Sequence, residues 1–131
     1  SLSLDTVIPE EYHQIRIGGK FEQTYSNVDK ITNLIGKDKI TINTTLMTIN
    51  CENIIKFIEY GLNNGYELFV NTYSKHGRSN SPDWALHSVP FDIKWKVIKQ
   101  IKEYLREDKI PFVKLSDNYI TQLNKIIKLL S

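Results

Sequence analysis

Two kinds of segment alternate along this chain, and the alternation restricts the folds that it can adopt. Runs rich in β-branched residues predict strands, and longer segments whose apolar residues recur every three or four positions predict amphipathic helices. Strands are predicted at Ser1–Leu4, Lys39–Met47, Tyr66–Asn71 and, as an edge strand containing Pro111, Ile110–Leu115; helices are predicted at 20–35, 54–62, 92–108 and 117–130. Such alternation favours parallel strands joined by right-handed crossover helices. We therefore predict an α/β fold with a mainly parallel sheet in βαβαβ order and helices at the carboxyl terminus.

The length of the chain bounds the number of domains. A folded chain of 131 residues buries roughly two-thirds of the surface that it exposes when unfolded, which suffices for one core. We expect a single domain over residues 1–131. Its β/α units occupy residues 1–75, and a loop and a carboxyl-terminal helical extension occupy residues 76–131.

Composition limits the classes of partner. With 40% hydrophobic residues, 17 basic and 15 acidic residues and a net charge of +2, the sequence is typical of a soluble globular protein. No block of five or six basic residues supports a dedicated nucleic-acid-binding function. The sequence has neither an uninterrupted apolar run of about 18 residues nor the pattern of a secretion signal, so we expect a cytoplasmic protein without a membrane partner. The single cysteine, Cys51, cannot supply the three thiolates of an open iron-sulfur cluster.

Polar residues fall at the predicted carboxyl ends of the strands. Parallel strands of α/β sheets bind ligands at these ends, where loops converge. Asp5, Thr45, Asn50 and Asn71 lie there and are candidates for lining a pocket. Asn50 is equally suited to cap the helix that follows it.

Several short motifs occur in an order that resembles radical S-adenosylmethionine (radical SAM) enzymes. The matching residues, in chain order, are Ser3-Leu4-Asp5, His13, Ile15-Arg16, Phe21, Asn27-Val28, the stretch from Thr45 to Asn50, and Asn64-Gly65 before a further strand. The resemblance covers about the first 75 residues. The family's C-x3-C-x2-C motif, which holds a [4Fe-4S] cluster, is absent from the chain. In the family that motif lies upstream of the strand that Ser1–Asp5 resembles, which implies the later strands of a partial TIM-like barrel.

The resemblance also implies roles for individual residues. Ser3, Asp5, Arg16 and Thr45 would contact S-adenosylmethionine, with Arg16 holding the methionyl carboxylate through paired N–H groups. The residues that would face substrate are Asn50, Asn71 and Tyr73. A strand-end cap at Ser3 and Asp5 and a surface ion pair of Arg16 with Glu10 or Glu11 are the structural alternatives. No residue of this chain is assigned as a catalytic residue or a metal ligand.

Taken together, these features predict a carboxyl-terminal fragment of a radical SAM Fe-S oxidoreductase, inactive alone. The parent enzyme would hold S-adenosylmethionine and a [4Fe-4S] cluster and act on a small molecule or a peptide. The amino-terminal half of the barrel would be the partner, and an open sheet edge would allow self-association. The alternative is a free-standing α/β binding or interaction domain without catalysis. A small nucleotide-binding or hydrolytic protein is disfavoured because the chain has no G-x-x-x-x-G-K-[ST], G-x-G-x-x-G or G-x-S-x-G motif.

Overall fold

The computed structural model describes residues 1–73, 84–106 and 115–131. Within these ranges the chain forms three strands, β1 (Leu2–Ser3), β2 (Thr41–Leu46) and β3 (Glu67–Thr72), and five α-helices, α1 (Pro9–Ile15), α2 (Phe21–Ile35), α3 (Ile54–Asn64), α4 (Phe91–Leu105) and α5 (Asp117–Leu130). The strands are parallel and lie in the order β1-β2-β3. The predicted α/β class with a parallel sheet is confirmed. The predicted strand at 110–115 lies, except for Leu115, outside the described residues, as do residues 76–83, where the predicted loop begins.

The sheet has two unlike faces because side chains alternate along each strand. On β2, Ile42, Thr44 and Leu46 are buried, whereas the residues between them are half-buried. Leu68 and Val70 of β3 lie opposite Ile42 and Thr44 and are also buried. This face joins one apolar cluster with residues of α2, α3, α4 and α5, among them Val28, Phe57, Ile58, Val97, Ile101, Leu123 and Ile126.

Helix α1 has a different sequence pattern from the other four helices and was not predicted. It spans only seven residues and begins with Pro9, whose fixed φ and missing N–H suit a first helical position. Glu10 and Glu11 follow in its first turn, where carboxylates complement the helix dipole. The sequence features that favour this helix therefore lie in its first turn rather than in an apolar stripe.

Helix α5 runs beside the outer edge of β3 and bonds directly to its backbone. The Asn118 side chain accepts a hydrogen bond from the Leu68 N–H at 2.9 Å and donates one to the Leu68 carbonyl at 3.0 Å. Gln122, one turn later, accepts from the Val70 N–H at 2.9 Å. These amides take the place that a fourth strand would occupy. Among the described ranges, no helix is long and apolar enough to cross a membrane.

Candidate functional site

Asp5 joins the carboxyl ends of β1 and β2. Its φ of 66° lies in the left-handed region, which Asp tolerates better than most residues. The turn directs its main-chain carbonyl toward Thr44 Oγ1 at 2.8 Å and Asn50 Nδ2 at 3.1 Å, both of which donate to it. The carboxylate Oδ1 accepts from the Thr45 N–H at 2.9 Å. Asp5 therefore fixes the end of a short strand to its neighbour through both backbone and side chain.

The second carboxylate oxygen of Asp5 binds Arg16, which immediately follows α1. Arg16 Nη2 lies 3.0 Å from Oδ2, in an ion pair whose side chains are 40% and 10% exposed. The structural alternative from the sequence, an ion pair of Arg16 with Glu10 or Glu11, is therefore wrong, because the partner is Asp5. Arg16 Nε is buried, and it has no hydrogen-bond partner in the described part of the chain. The guanidinium is thus anchored at one nitrogen and retains an unused donor.

Asn50 lies beneath the strand ends rather than in a cleft. The side chain is 1% exposed, and its Oδ1 accepts from the Met47 N–H at 2.9 Å. Its Nδ2 donates to the carbonyls of Thr45, at 2.9 Å, and of Asp5. It makes no side-chain cap for the short 3-10 helix Cys51–Asn53 that follows. The amide instead folds the connection after β2 and holds it against β1.

A second network of hydrogen bonds begins at Thr6, the residue after Asp5, and was not predicted. Glu11 is 8% exposed, and its two carboxylate oxygens accept from Thr6 Oγ1 at 2.6 Å and Asn53 Nδ2 at 2.7 Å. Tyr25 donates to the Thr6 carbonyl at 2.5 Å. These contacts tie α1 and α2 to the start of α3. No motif marks Glu11 in the sequence, apart from its place in the first turn of a short helix.

The open face of the sheet brings together three of the predicted site residues. Ser3 on β1, Thr45 on β2 and Asn71 on β3 all point away from the apolar core. Ser3 is exposed, and the other two are half-buried. Thr45 is the register partner of Asn71, and Ser3 is the partner of Asn43, a residue that the sequence analysis missed. Neighbouring strands lie about 4.8 Å apart, so these polar groups form one continuous surface.

The open face also contains Phe69 on β3, Asn43 on β2 and Tyr73 just after β3. Phe69 lies between Glu67 and Asn71 on β3, and Lys125 Nζ lies 4.8 Å from the centroid of its ring. Asn43 Oδ1 is buried and unpartnered within the residues described. Tyr73 directly follows β3 and is half-buried. The face therefore presents mostly uncharged hydrogen-bonding groups, and the guanidinium of Arg16 lies at its carboxyl end.

The described residues do not offer a metal-cluster site. Cys51, the only cysteine of the sequence, is fully buried, and burial raises the pKa of its thiol from 9.0 to about 11. A thiol with this pKa stays protonated near neutral pH and is a poor nucleophile and ligand. Across 1–73, 84–106 and 115–131, no three His, Cys, Asp or Glu side chains are grouped so that they could hold a metal ion.

Comparisons with protein-family models, with curated proteins and with solved structures each find no match to this chain.

Proposed function

We propose that this chain forms the later β/α units of a radical SAM barrel and contacts S-adenosylmethionine and substrate with the carboxyl ends of its strands. The ordered motifs around Asp5 and Arg16 suggest the family. The observation that carries the proposal is the polar open face of the sheet, which ends at the Asp5–Arg16 pair. In a barrel, helices cover the outer side of the sheet and the opposite side faces the interior. The one-sided packing of this sheet fits that arrangement.

Arg16 is the residue best suited to an anionic group. Its link to Asp5 holds the guanidinium beside the strand ends, and the side chain is 40% exposed, so part of the guanidinium is open to an anion. A carboxylate can accept two parallel N–H bonds from a guanidinium. The methionyl carboxylate of S-adenosylmethionine fits this donor set. Asp5 then acts as a positioning residue, since its carboxylate is occupied by Arg16 and the Thr45 N–H.

Ser3, Asn43, Thr45 and Asn71 would form the polar wall toward substrate. Their hydroxyl and amide groups suit a ligand with many neutral hydrogen-bonding atoms, such as a small polar molecule or a peptide. Tyr73 would stand at the rim of this wall. Asn50 would support it from beneath, because its amide is consumed by backbone groups of Asp5, Thr45 and Met47.

The [4Fe-4S] cluster does not fit the described residues of this chain. The sole thiol is buried and protonated, so the cluster ligands would belong to the amino-terminal half. A cluster held there would supply the electron for reductive cleavage of S-adenosylmethionine, while Ser3, Asp5, Arg16 and Thr45 of this chain would contact that molecule. This chain would bind and orient, and by itself it would catalyse nothing.

The first test is to translate the coding DNA immediately upstream of the Ser1 codon in frame. The proposal expects a C-x3-C-x2-C motif a few strand-helix units before Ser3. A start codon with a ribosome-binding site directly before Ser1 would contradict it.

The second test measures S-adenosylmethionine binding by the longer protein. Loss of a charge-assisted hydrogen bond costs about 1.5–3 kcal/mol, so Arg16→Ala is expected to weaken binding roughly 10- to 100-fold. Arg16→Lys keeps the charge but loses the paired N–H groups, and it should recover only part of the loss. The matched control is Arg106→Ala, because Arg106 is an exposed arginine at the end of α4. Equal binding by the Arg16→Ala and Arg106→Ala variants would exclude the proposed role of Arg16.

A free-standing binding or interaction domain is the second candidate function. The observation in its favour is that the strand-end network satisfies itself: both oxygens of Asp5 and the whole amide of Asn50 bond within the chain. Such a network needs no ligand to explain it, because holding the fold is a sufficient role. Light scattering of the isolated chain separates the two candidates, because a stable monomer favours the free-standing domain and self-association favours a missing half.

A further inference from the structure

The outer edge of β1 is available for pairing, in contrast to the outer edge of β3. The Leu4 N–H donates to the Asn43 carbonyl of β2 at 3.0 Å. Because backbone groups of successive residues point to opposite sides of a parallel strand, Ser3 directs its N–H and C=O away from β2. Ser3 is exposed, and no strand in the described ranges lies on that side of β1.

An apolar flank of α2 lies on the same side of the molecule. Tyr25 faces α3, since its ring centroid is 5.3 Å from that of Tyr60. Leu34 follows nine residues later, and at 3.6 residues per turn it points in the opposite direction. Ile31, Leu34 and Ile35 form this flank and are 36%, 83% and 49% exposed. Because α2 joins β1 to β2 and α3 joins β2 to β3, the flank lies toward β1.

We propose that the β1 edge and the α2 flank together are the docking surface for one further β/α unit. Its strand would pair in parallel with β1, and its helix would cover Ile31, Leu34 and Ile35. A lone strand would leave the flank exposed, and a lone helix would leave the Ser3 backbone groups unpaired. The sheet cannot grow at β3, where Asn118 and Gln122 occupy the edge. This inference rests on the proposed function, in which the partner is the amino-terminal half of the same barrel.

The experiment compares the protein encoded with its upstream region with the 131-residue chain by hydrogen exchange. The Ser3 amide and the amides of the β1–α2 region are expected to gain roughly tenfold protection or more in the longer protein. Leu34→Lys should lower the unfolding midpoint of the longer protein and leave that of the 131-residue chain unchanged. Phe91→Lys is the matched control, because Phe91 is 80% exposed on α4, outside this surface.

The outcomes separate this surface from the radical SAM assignment. Protection at Ser3 together with the Leu34→Lys effect supports the surface, even if the longer protein lacks the three-cysteine motif and does not bind S-adenosylmethionine. Binding of S-adenosylmethionine with Ser3 as unprotected as in the shorter chain overturns the surface alone. An upstream region without a β/α segment, or a dimer of the longer protein that Leu34→Lys dissociates, also overturns it, the latter in favour of a second copy.

Discussion

The two outer edges of this three-stranded sheet differ in whether other groups bond to their backbone. At β3, the side chains of Asn118 and Gln122 bond the outward backbone groups of Leu68 and Val70, and Tyr119 donates to the Tyr66 carbonyl at 2.7 Å. At β1, the described chain leaves the outer side uncovered and instead fastens the strand at its end. A two-residue strand with few ladder bonds is thereby held in register by the turn at Asp5.

This difference indicates where the sheet can grow. Exposed strand edges invite pairing with other chains, and natural proteins cover those that they do not use. The side-chain amides of Asn118 and Gln122 on α5 cover β3, whereas no comparable group covers β1 among the residues described. The contrast supports extension of the sheet on the β1 side only. The contacts at the end of β1 and those of α5 with β3 can each be removed by mutation.

Removing Asn50 should have the largest effect, because it disrupts the fastening of β1. Asn50→Ala would remove the side-chain acceptor of the Met47 N–H and one donor to each of the carbonyls of Thr45 and Asp5, in a buried site. We expect a loss of about 3 kcal/mol in the free energy of unfolding, measured by urea denaturation. Asn64→Ala is the control, since Asn64 makes one partly buried bond to Tyr60 and should cost under about 1 kcal/mol. Similar losses in both variants would contradict a special role for the strand-end network.

Removing both edge amides of α5 should disrupt the opposite side. Asn118→Ala combined with Gln122→Ala is expected to cost about 2 kcal/mol and to expose the Leu68 and Val70 amides to hydrogen exchange. The freed edge should also promote concentration-dependent association in sedimentation experiments. Asn124→Ala on the same helix is the control, because its amide bonds the Ile120 carbonyl at the surface. A double variant that stays monomeric with both amides protected would show that α5 does not guard the edge.

Sequence patterns predicted the strands and the four longer helices because apolar periodicity records burial directly. Ile42, Leu46, Leu68 and Val70 are buried as their alternation requires, and Gly65 ends α3 with a φ of 72°. Helix α1 escaped because its seven residues have too few apolar positions to show a period. The edge cover by Asn118 and Gln122 also escaped, since polar residues on a helix normally face solvent and their spacing does not reveal a neighbouring strand.

The placement of the candidate site residues at the strand ends was predictable from the sequence, but their hydrogen-bond partners were not. The rule that ligands bind at strand carboxyl ends selected Asp5, Thr45 and Asn71, and β-sheet register places the last two opposite each other. The partner of Arg16 could not be predicted, because a contact across eleven residues depends on how α1 folds back over β1. The buried pair of Glu11 and Asn53 depends on the same packing.

Two tyrosines allow a comparison of a hydrogen bond just after β1 with one just before β3. Tyr25 donates to the Thr6 carbonyl beyond β1, and Tyr119 donates to the Tyr66 carbonyl before β3. Tyr25→Phe and Tyr119→Phe are each expected to cost about 1 kcal/mol in urea denaturation, and the losses should add in the double variant. Tyr60→Phe is the control, because its buried hydroxyl lacks a hydrogen-bond partner in the described residues and its removal should be neutral or stabilising. A large loss for only one of the two variants would show that the two hydrogen bonds contribute unequally to the free energy of unfolding.

Raising the pH should leave the stability of the fold nearly unchanged close to neutrality and lower it progressively above about pH 9. Burial raises the pKa of Cys51 to about 11 and raises the pKa values of Tyr25 and Tyr119 above the usual value of 10. The unfolded chain therefore loses these protons at a lower pH than the folded chain, and the folded state becomes less stable as pH rises. Thermal midpoints should stay level between pH 7 and 8, as expected from the unfolded pKa values, and fall above about 9. Cys51→Ala should flatten the first part of this decline, and Tyr119→Phe the part above 10. If neither variant changes the slope, other groups carry the alkaline transition, and neither the thiol behind the strand ends nor the phenol at the β3 edge is linked to unfolding.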